Sequence, residues 1–480
     1  MKRRFLGASL AALFSTAIFT APLAAQTPPP PLTVQPAVPT GGPKVPATLP
    51  LSFDNNDPAG VTTTFQPNGP TVTKGNPYFT PLGANGRTCF TCHQPNNGWG
   101  LSGGWIRMRF NKNPTTDPLF LPVDGAVCPS DSVATPTAAQ QAYRLLLSQG
   151  LIRVGLAMPA NAQFTVAVKT DPDNCTGTPA TGLTSPSSGT VNIYRRPLQT
   201  ANLKFLTAIM WDGREPSLAH QALDAVLTHE QASGSGPTAA QQAQIVTFES
   251  GLFSAQSSNT DAGDLTAVGG GPVALSKVLF TPGINDSVGP NPFNPNIFSL
   301  YNAWSGVTGT DAQSQAQASI ARGQQIFNTK PITITTVAGL NDLPGKRTIV
   351  GTCGTCHDTP SVGNRSLPLF LNMGVAATAP PGLNVTQLPV FALSCSAGLP
   401  AGAPNPVFTT DPGRAMTTGS CADIGKFKVP ELRGLAGRAP YFHNGGAGTL
   451  SEVLSFYQKR FNIPFTAQER TDLINFLQAL

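Results

Sequence analysis

The sequence predicts a mainly α-helical fold with two compact regions, loop-rich insertions and a few short strands. The chain has 480 residues, 40% of them hydrophobic, which is enough to bury more than one core. Charged residues make up only 11%, whereas 48 glycines and 47 prolines favour long connecting loops over a coiled coil. Four segments have helix-like patterns and two have strand-like ones.

The N-terminus has the order of an export signal. Lys2, Arg3 and Arg4 precede an uncharged apolar stretch, and small residues follow at 21–25. This order is typical of a secretory signal peptide, and the apolar stretch is shorter than the ~20 residues of a membrane-spanning helix. We therefore expect removal of residues 1–25, export to a bacterial periplasm and no membrane span after cleavage.

The charge balance excludes one large class of partner. The formal net charge is +6, and loss of the three basic residues at positions 2–4 leaves +3. No basic run follows residue 4, so the sequence gives no indication of nucleic-acid binding.

Composition divides the rest of the chain into three parts. Residues 26–50 form a Pro-rich, extended leader with little to bury. A first compact region is expected over 51–310 and a second over 311–480. Two stretches, about 111–190 and 235–310, look like loop-rich insertions in the first region.

Local patterns place the elements within these regions. Helices are predicted near 137–150, 217–231 and 313–327. Thr466-Ala-Gln-Glu469 is a capping box that starts a last helix with apolar positions at 473, 476, 477 and 480. Alternation predicts strands at 163–168 and 191–194.

Four of the eight cysteines carry the chemistry. They form two CxxCH motifs, Cys89-Phe-Thr-Cys92-His93 and Cys353-Gly-Thr-Cys356-His357. Two thiols one turn apart can bond the two vinyl groups of a haem, and the adjacent imidazole reaches the iron. A zinc ribbon needs pairs some 15–20 residues apart, and a thioredoxin-like pair needs no histidine after it. We therefore predict two covalently bound c-type haems, with His93 and His357 as proximal iron ligands.

The other four cysteines are expected to form disulfides in an oxidising compartment. They are Cys128, Cys175, Cys395 and Cys421. Four cysteines allow three connectivities, and sequence proximity favours Cys128–Cys175 and Cys395–Cys421. Free thiols that act as metal ligands are the alternative.

Together with two further segments, the CxxCH motifs resemble a known family. Trp211-Asp-Gly-Arg214 lies between them, and Ala439-Pro-Tyr-Phe-His-Asn-Gly445 lies near the end. The combination is similar to the bacterial diheme cytochrome c peroxidase superfamily. That superfamily includes the tyrosine-ligated diheme maturase of methylamine dehydrogenase and, more distantly, the rubber oxygenases. The resemblance covers about 75–110, 195–232 and 315–480.

The family implies two cytochrome-c-like haem domains with different tasks. The N-terminal haem is the peroxidatic one, and the C-terminal haem transfers electrons. A tryptophan between them, here Trp211 by its motif position, relays electrons; the alternative is a merely packed aromatic.

The peroxidatic site departs from the family in its distal ligand. Many family peroxidases have a removable histidine sixteen residues after the proximal one, where this sequence has Arg109. That implies an iron that is open without reductive activation. Met108 is an alternative ligand, as are His220 or His229 after a loop shift.

Distal acid–base groups are implied ten and twenty residues after the tryptophan. Gln221 matches the first, whereas Gln231 stands at the second, where a Glu is expected. Either Glu230, after a one-residue deletion, or His229 is expected to move a proton between the peroxide oxygens. Such groups contribute about 10²–10⁴-fold. His220 is expected to be a solvated helix residue.

The electron-transfer haem also departs from the family pattern. The peroxidases place a methionine ligand fourteen residues after the histidine of the second segment, and here that position is Tyr457. The maturase has a tyrosine there. An anionic tyrosine would lower the haem potential, within an axial-ligand range of about 0.8 V. His443 and Met416 are alternative sixth ligands, and Tyr457 on an apolar helix face is a further interpretation.

Calcium is a further expectation from the family. Its carbonyl donors would be Arg438 and Pro440, but Arg196 replaces an expected asparagine. Calcium and the guanidinium are alternatives for this position.

Our expectation is therefore a periplasmic diheme oxidoreductase that reduces hydrogen peroxide with electrons from a small cytochrome c or cupredoxin. One alternative is oxidation or oxygenation of a protein or organic substrate through high-valent haem. A second alternative is a pure diheme electron carrier.

Overall fold

The computed structural model describes residues 45–480, except 115, 176–183, 186–188, 344–345 and 400–401. Residues 45–480 form one compact unit. The expected signal peptide at 1–25 and most of the leader at 26–50 lie outside the described residues. Among the helices that are described, none has the length and apolar character needed to cross a membrane.

Eleven α-helices occur in the described part of the chain. They are α1 (Cys89–Cys92), α2 (Gly103–Lys112), α3 (Pro136–Ala142), α4 (Arg144–Gln149), α5 (Leu218–Thr228), α6 (Ala239–Ser250), α7 (Gly271–Ser276), α8 (Ala312–Thr329), α9 (Ala415–Thr418), α10 (Leu450–Phe461) and α11 (Ala467–Gln478).

The strands are short. They are β1 (Thr48–Leu49), β2 (Ser52–Asp57), β3 (Gly60–Phe65), β4 (Thr71–Val72), β5 (Ile152–Ala157), β6 (Phe164–Thr170), β7 (Thr184–Ser185), β8 (Thr190–Arg195), β9 (Phe253–Asn259), β10 (Gly263–Asp264), β11 (Ile332–Thr335), β12 (Thr348–Gly351), β13 (Phe370–Leu371), β14 (Val390–Cys395), β15 (Val407–Thr409) and β16 (Phe427–Lys428).

These strands form small antiparallel sheets. The largest has the order β10-β9-β3-β2, two others are β15-β14-β6 and β5-β8-β7, and the rest are two-stranded. Both three-stranded sheets use strands of the first insertion, and the four-stranded sheet uses β9 and β10 of the second. The two insertions therefore contribute strands to all three larger sheets.

The prediction of a mainly α fold is wrong. The described structure is 30% helical and 17% strand. Much of the strand content has too few apolar residues to show alternation, as in Ser52–Asp57 and Phe253–Asn259. Pairing between distant segments, such as β3 with β9, stabilises them, and this pairing leaves no local signal.

The helix predictions succeeded where a local cap marks the start. α5 starts after Ser217, whose hydroxyl accepts the His220 N–H at 3.1 Å. The capping box of Thr466 and Glu469 starts α11. The segment 137–150 contains two helices instead of one, because the backbone leaves the helical conformation at Tyr143.

α8 and α11 pack against each other at the second CxxCH motif. Gly323 allows the contact, because a Cβ there would meet the Asp472 carbonyl oxygen at 2.0 Å. Arg322 donates to Asp472 at 2.8 Å, and the Phe327 and Phe476 rings lie 5.8 Å apart. This core supports the second motif, because the Phe327 ring also packs against the His357 ring, with centroids 6.4 Å apart.

Both predicted disulfides are confirmed. Cys128 pairs with Cys175, and Cys395 pairs with Cys421. The second closes a loop beside β14, which pairs with β6 along Val390–Cys395. A strand of the first insertion is thereby joined to the C-terminal region.

Candidate functional site

The first CxxCH motif starts a single helical turn. Thr88 begins α1, and its backbone N–H donates to the Thr91 hydroxyl at 2.9 Å. Cys89 and Cys92 lie at the two ends of this turn. Both are half-buried, and neither forms a disulfide. Two reduced thiols at this spacing are what attachment to two vinyl groups requires.

His93 is held by a carbonyl six residues downstream. Its Nδ1 lies 3.1 Å from the Trp99 carbonyl oxygen, so Nε2 is the nitrogen left to face a metal. Trp99 turns its carbonyl toward the ring by adopting a left-handed conformation, with φ at 60°. Burial lowers the pKa of His93 to about 4, which favours the neutral imidazole that metals bind.

The second motif repeats this construction. The Thr352 N–H donates to the Thr355 hydroxyl at 2.9 Å. His357 Nδ1 lies 2.5 Å from the carbonyl oxygen of Gly363, again six residues on and again left-handed, with φ at 76°. Burial lowers the pKa of His357 to about 4 as well. Both motifs therefore fix their proximal histidine in the same way.

A largely apolar cavity opens at the second motif. Cys353, Cys356 and His357 line one part of it. The other walls include Phe327, Ile332, Ile334, Leu371, Met373, Val375, Leu450, Leu454, Tyr457 and Phe461. A flat hydrophobic group attached to the two thiols is the kind of ligand that such walls suit.

Tyr457 projects from α10 into the wall of this cavity. Its ring lies 6.2 Å from Phe442 and 6.5 Å from Phe461. Burial raises the pKa of Tyr457 well above its usual range. Among the described residues, no hydrogen-bond partner of its hydroxyl is found. Coordination to a metal would therefore give this polar group a partner.

His443 lines the same cavity. It is 3% exposed and stacks on Phe427 at 3.9 Å. Its Nε2 has no hydrogen-bond partner in the described structure and lies 3.8 Å from Asp411 Oδ2. Burial lowers the pKa of His443 to about 4. Met416 packs in a different core cluster, with Phe391, and does not line the cavity.

Trp211 also packs against His443, with ring centroids 6.2 Å apart. The indole Nε1 donates to the Arg196 carbonyl at 2.8 Å. The next residue, Asp212, accepts from Arg195 at 2.6 Å, and Arg195 also bonds Asp411 at 2.6 Å. This buried network fixes the backbone on both sides of the indole.

The Trp211 and His443 segments have the same backbone form. Ile209 bridges Glu215, and Tyr441 bridges Ala447, over equal spacing. The residues before the two aromatic groups are both left-handed, with φ at 66° for Met210 and 68° for Phe442.

A helix follows each segment at the same offset. Ser217 caps α5, and Thr449 caps α10. Trp211 and His443 therefore occupy equivalent positions in two structural repeats, and the repeats meet at these two rings.

The residue at the expected distal-ligand position is engaged elsewhere. Arg109 donates to Asp117 at 2.6 Å and to the Thr91 carbonyl at 2.8 Å. Its guanidinium also lies 4.4 Å from the centre of the Trp105 ring. Met108 is partly buried against the core cluster that contains Trp105. These contacts account for Arg109 without a role as a metal ligand.

The structure brings two expected acid–base residues to the first motif. His229 Nδ1 lies 2.7 Å from Asp124 Oδ2, and Arg87 Nη1 lies 2.7 Å from the same carboxylate. Glu230 is 3% exposed, and its Oε1 lies 3.8 Å from Cys89 Sγ. Burial raises the pKa of Glu230 to about 7.

The other expected residues are less closely placed. Gln221 lies on α5, and no described residue makes a hydrogen bond with its side chain. Gln231 forms a surface contact with Asn85 at 3.4 Å. His220 is on the surface, as predicted, and its Nδ1 lies 2.5 Å from Glu215.

No family model matches the chain, but curated relatives match parts of it. Cytochrome-c peroxidase IdrP1 of Denitromonas iodatirespirans is 38% identical over 81 residues, 15% of this chain and 22% of the relative. Cytochrome c551 peroxidase of Nitrosomonas europaea is 30% identical over 131 residues, 27% of this chain and 30% of the relative. Cytochrome-c peroxidase IdrP2 of Denitromonas iodatirespirans is 33% identical over 143 residues, 27% and 36% of the two chains.

The resemblance to the diheme cytochrome c peroxidase superfamily is confirmed. The matches cover about a fifth to a third of these relatives, from 22% to 36% of their length.

Among solved structures, a MauG-like protein associated with microbial copper homeostasis is 14% identical, with a TM-score of 0.35. That match covers 85% of this chain and 88% of the other.

The residues fit the haem c that this superfamily implies. Each motif offers two reduced thiols and a histidine whose Nε2 is left for a metal. At the second motif the surrounding cavity is largely apolar, and its lining includes Tyr457 and the His443 Nε2, which has no hydrogen-bond partner in the described structure. Cys353, Cys356 and His357 would hold a haem in that cavity, which Tyr457 and His443 also line.

The residues do not fit the calcium ion that this superfamily implies. Arg196 is buried and donates to the Arg438 carbonyl at 2.9 Å, so one expected calcium donor already has a cationic partner. It also donates to the carbonyls of Leu101 at 2.5 Å and Gln149 at 3.4 Å. A guanidinium therefore occupies the place where several carbonyls converge.

Two residues near the first motif were not predicted from the sequence. Asp124 belongs to the loop-rich insertion, 105 positions before His229 in the chain. Glu249 is 3% exposed, and burial raises its pKa to about 8. An isolated acidic residue has no local pattern that would reveal either role.

Proposed function

We propose that this chain is an exported diheme oxidoreductase that reduces hydrogen peroxide to water, with electrons from a small cytochrome c or cupredoxin. The observation that carries the proposal is the contrast between the two motifs. Both hold their proximal histidine identically, but only the first has His229 and Glu230 beside it.

The first motif is the proposed peroxide site. Haem bound through Cys89, Cys92 and His93 would supply a redox-active iron with an accessible face. The contacts of Arg109 with Asp117 and Thr91 support an open face, because they account for the side chain at the usual ligand position.

The protein side chains at this motif would handle protons. His229 and Glu230 lie near the attachment cysteines, and burial holds the pKa of Glu230 at about 7. A group with a pKa near the working pH can both take and give a proton, which is what a general acid–base catalyst requires.

The second motif is the proposed electron-transfer site. Haem bound through Cys353, Cys356 and His357 would lie in the apolar cavity, with Tyr457 as sixth ligand and His443 as the alternative. Trp211 lies between the Arg196 backbone and His443, and its place in the cavity wall supports a relay role.

We further propose that Arg196 takes the place of calcium. Its guanidinium donates hydrogen bonds to the carbonyls of Leu101 and Arg438, which belong to distant parts of the chain. Export is supported by the two disulfides, which form and persist in oxidising compartments.

One observation favours a second candidate function. Tyr457 stands where the peroxidases have methionine, and a tyrosinate ligand lowers a haem potential. A second haem that stores oxidising equivalents would suit oxidation of a protein or organic substrate at a distance.

The deciding experiment uses the purified mature protein. Its mass should show two added haems, and its resting electron paramagnetic resonance (EPR) spectrum should show one high-spin ferric haem that is lost on addition of peroxide. Peroxide-dependent oxidation of reduced cytochrome c would then support the peroxidase. Two low-spin haems that ignore peroxide would overturn it in favour of an electron carrier. Reaction with peroxide without cytochrome c oxidation would favour the second candidate.

A further inference from the structure

We propose that Asp124 and Arg87 are positioning residues that hold His229 for acid–base work at the first motif. The proposal rests on the proposed function. It also assigns a task to the insertion at 111–190, because that insertion supplies Asp124.

The hydrogen bonds fix which nitrogen of His229 is available. Its Nδ1 lies 2.7 Å from Asp124 Oδ2. A carboxylate only accepts hydrogen bonds, so Nδ1 carries the hydrogen and Nε2 is left to accept a proton. The Asp124–His229 pair thus selects one tautomer and one ring orientation.

Arg87 fixes the carboxylate in turn. Its Nη1 lies 2.7 Å from both oxygens of Asp124, and Nη1 also donates to the His229 carbonyl at 3.3 Å. Its remaining donors bond the carbonyls of Pro118 at 2.7 Å and Leu119 at 3.0 Å. Arg87 and Asp124 are 3% and 5% exposed, and each satisfies the buried charge of the other.

The cluster lies at the first attachment motif. Arg87 is two residues before Cys89, and Glu230, next to His229, lies 3.8 Å from the Cys89 thiol. About a third of the His229 side chain is exposed, at 34%, so a small solute can reach the ring.

The proposed step is a proton transfer within hydrogen peroxide. His229 Nε2 takes the proton from one peroxide oxygen and returns it to the other, which leaves as water when the O–O bond breaks. Two electrons from the small redox protein and two protons from solvent complete the second water. Asp124 does not touch the substrate; it holds the imidazole and stabilises the imidazolium formed on the way.

The test replaces Asp124 by asparagine in the full chain with both haems bound. The Asp124→Asn amide can donate to Nδ1 and so favours the wrong tautomer. We expect the rate of reaction with peroxide to fall at least ~10-fold, within the 10²–10⁴-fold contribution of His229 itself. The resting spectra of both haems and the KM for reduced cytochrome c should not change.

A matched control lies in the same insertion. Asp173→Asn removes another carboxylate that bonds an arginine, Arg144 at 2.8 Å, and should leave the peroxide rate unchanged. If Asp124→Asn does not assemble with haem, Asp124→Glu keeps the charge, displaces the oxygens and should still slow the reaction.

A double-mutant cycle separates positioning from a structural effect. In a His229→Gln background, Asp124→Asn should cost almost nothing more. An equal loss in both backgrounds would overturn the proposal. A wild-type protein that does not react with peroxide would instead refute the proposed function, so the two failures are distinguishable.

Discussion

The two attachment motifs share one side and differ on the other. Each binds its histidine to a carbonyl six residues away, provided by a left-handed residue. Around the first motif lie charged groups, Arg87 and Asp124 with His229. The second motif also has a buried ion pair, Asp358 with Arg365, but it borders a largely apolar cavity that Tyr457 lines. The attachment geometry is common to both motifs, whereas the residues contributed by distant segments differ between them.

Removing one proximal histidine at a time should give the largest effects. His93→Gly should reduce the rate of reaction with peroxide by more than the 10–100-fold typical of losing an outer-shell partner. His357→Gly should leave the rate of reaction with peroxide unchanged but alter the spectrum of the second haem. Stopped-flow absorbance and EPR measure both. The opposite pattern would exchange the roles of the two motifs.

Tyr457→Phe should change the second haem and leave the first unchanged. Loss of a tyrosinate ligand should raise the reduction potential by roughly 0.1 V or more, within the ~0.8 V range set by axial ligands. Potentiometric titration and EPR detect this shift. Tyr301→Phe is the control, because that buried hydroxyl donates to the Ala479 carbonyl outside the cavity. If Tyr457→Phe changes neither readout, His443 becomes the ligand to test.

Buried carboxyls offer a smaller contrast. Near the second motif, Asp358 is paired with Arg365 at 3.2 Å, whereas Glu249 near the first is buried and forms no ion pair among the described residues. Burial raises the pKa of Glu249 from 4.5 to about 8. Between these values the folded state keeps a proton that the unfolded state has lost, so stability falls as pH rises through this window.

Relative to the wild type, Glu249→Gln should therefore raise the free energy of unfolding more at pH 8 than at pH 5. The expected difference is up to about 4 kcal/mol, since the window spans roughly three pH units at about 1.4 kcal/mol each. Urea unfolding at the two pH values measures it. The exposed residue Asp261 provides the control Asp261→Asn, and an unchanged pH slope in Glu249→Gln would contradict the prediction.

The smallest expected effect is that of a chelator. Because Arg196 already bonds the Arg438 carbonyl, EGTA or added calcium should change neither the melting temperature nor the haem spectra. Arg196→Asn should lower the melting temperature, since it leaves buried carbonyls without partners. A marked loss of stability in EGTA would show that the wild-type protein binds calcium after all.

The features that could be predicted from the sequence are those that depend on local sequence patterns. The two CxxCH motifs, the capping box of α11 at Thr466 and the nearest-neighbour pairing of the cysteines all depend on residues close in sequence. The strand content was underestimated because partners such as β3 and β9 are far apart. Asp124 could not be predicted for the same reason, since only the folded insertion brings it to His229.

The sheet that joins β6 to β14 affects how the chain can be divided. β14 has partners on both sides, and one of them, β6, comes from the first insertion. A fragment that starts at residue 311 would retain β14 and β15 but expose the backbone donors and acceptors that β6 covers. An uncovered strand edge invites pairing with other chains. Expressing residues 311–480 alone should therefore yield aggregates or swapped oligomers, unless residues 164–170 are supplied as a peptide.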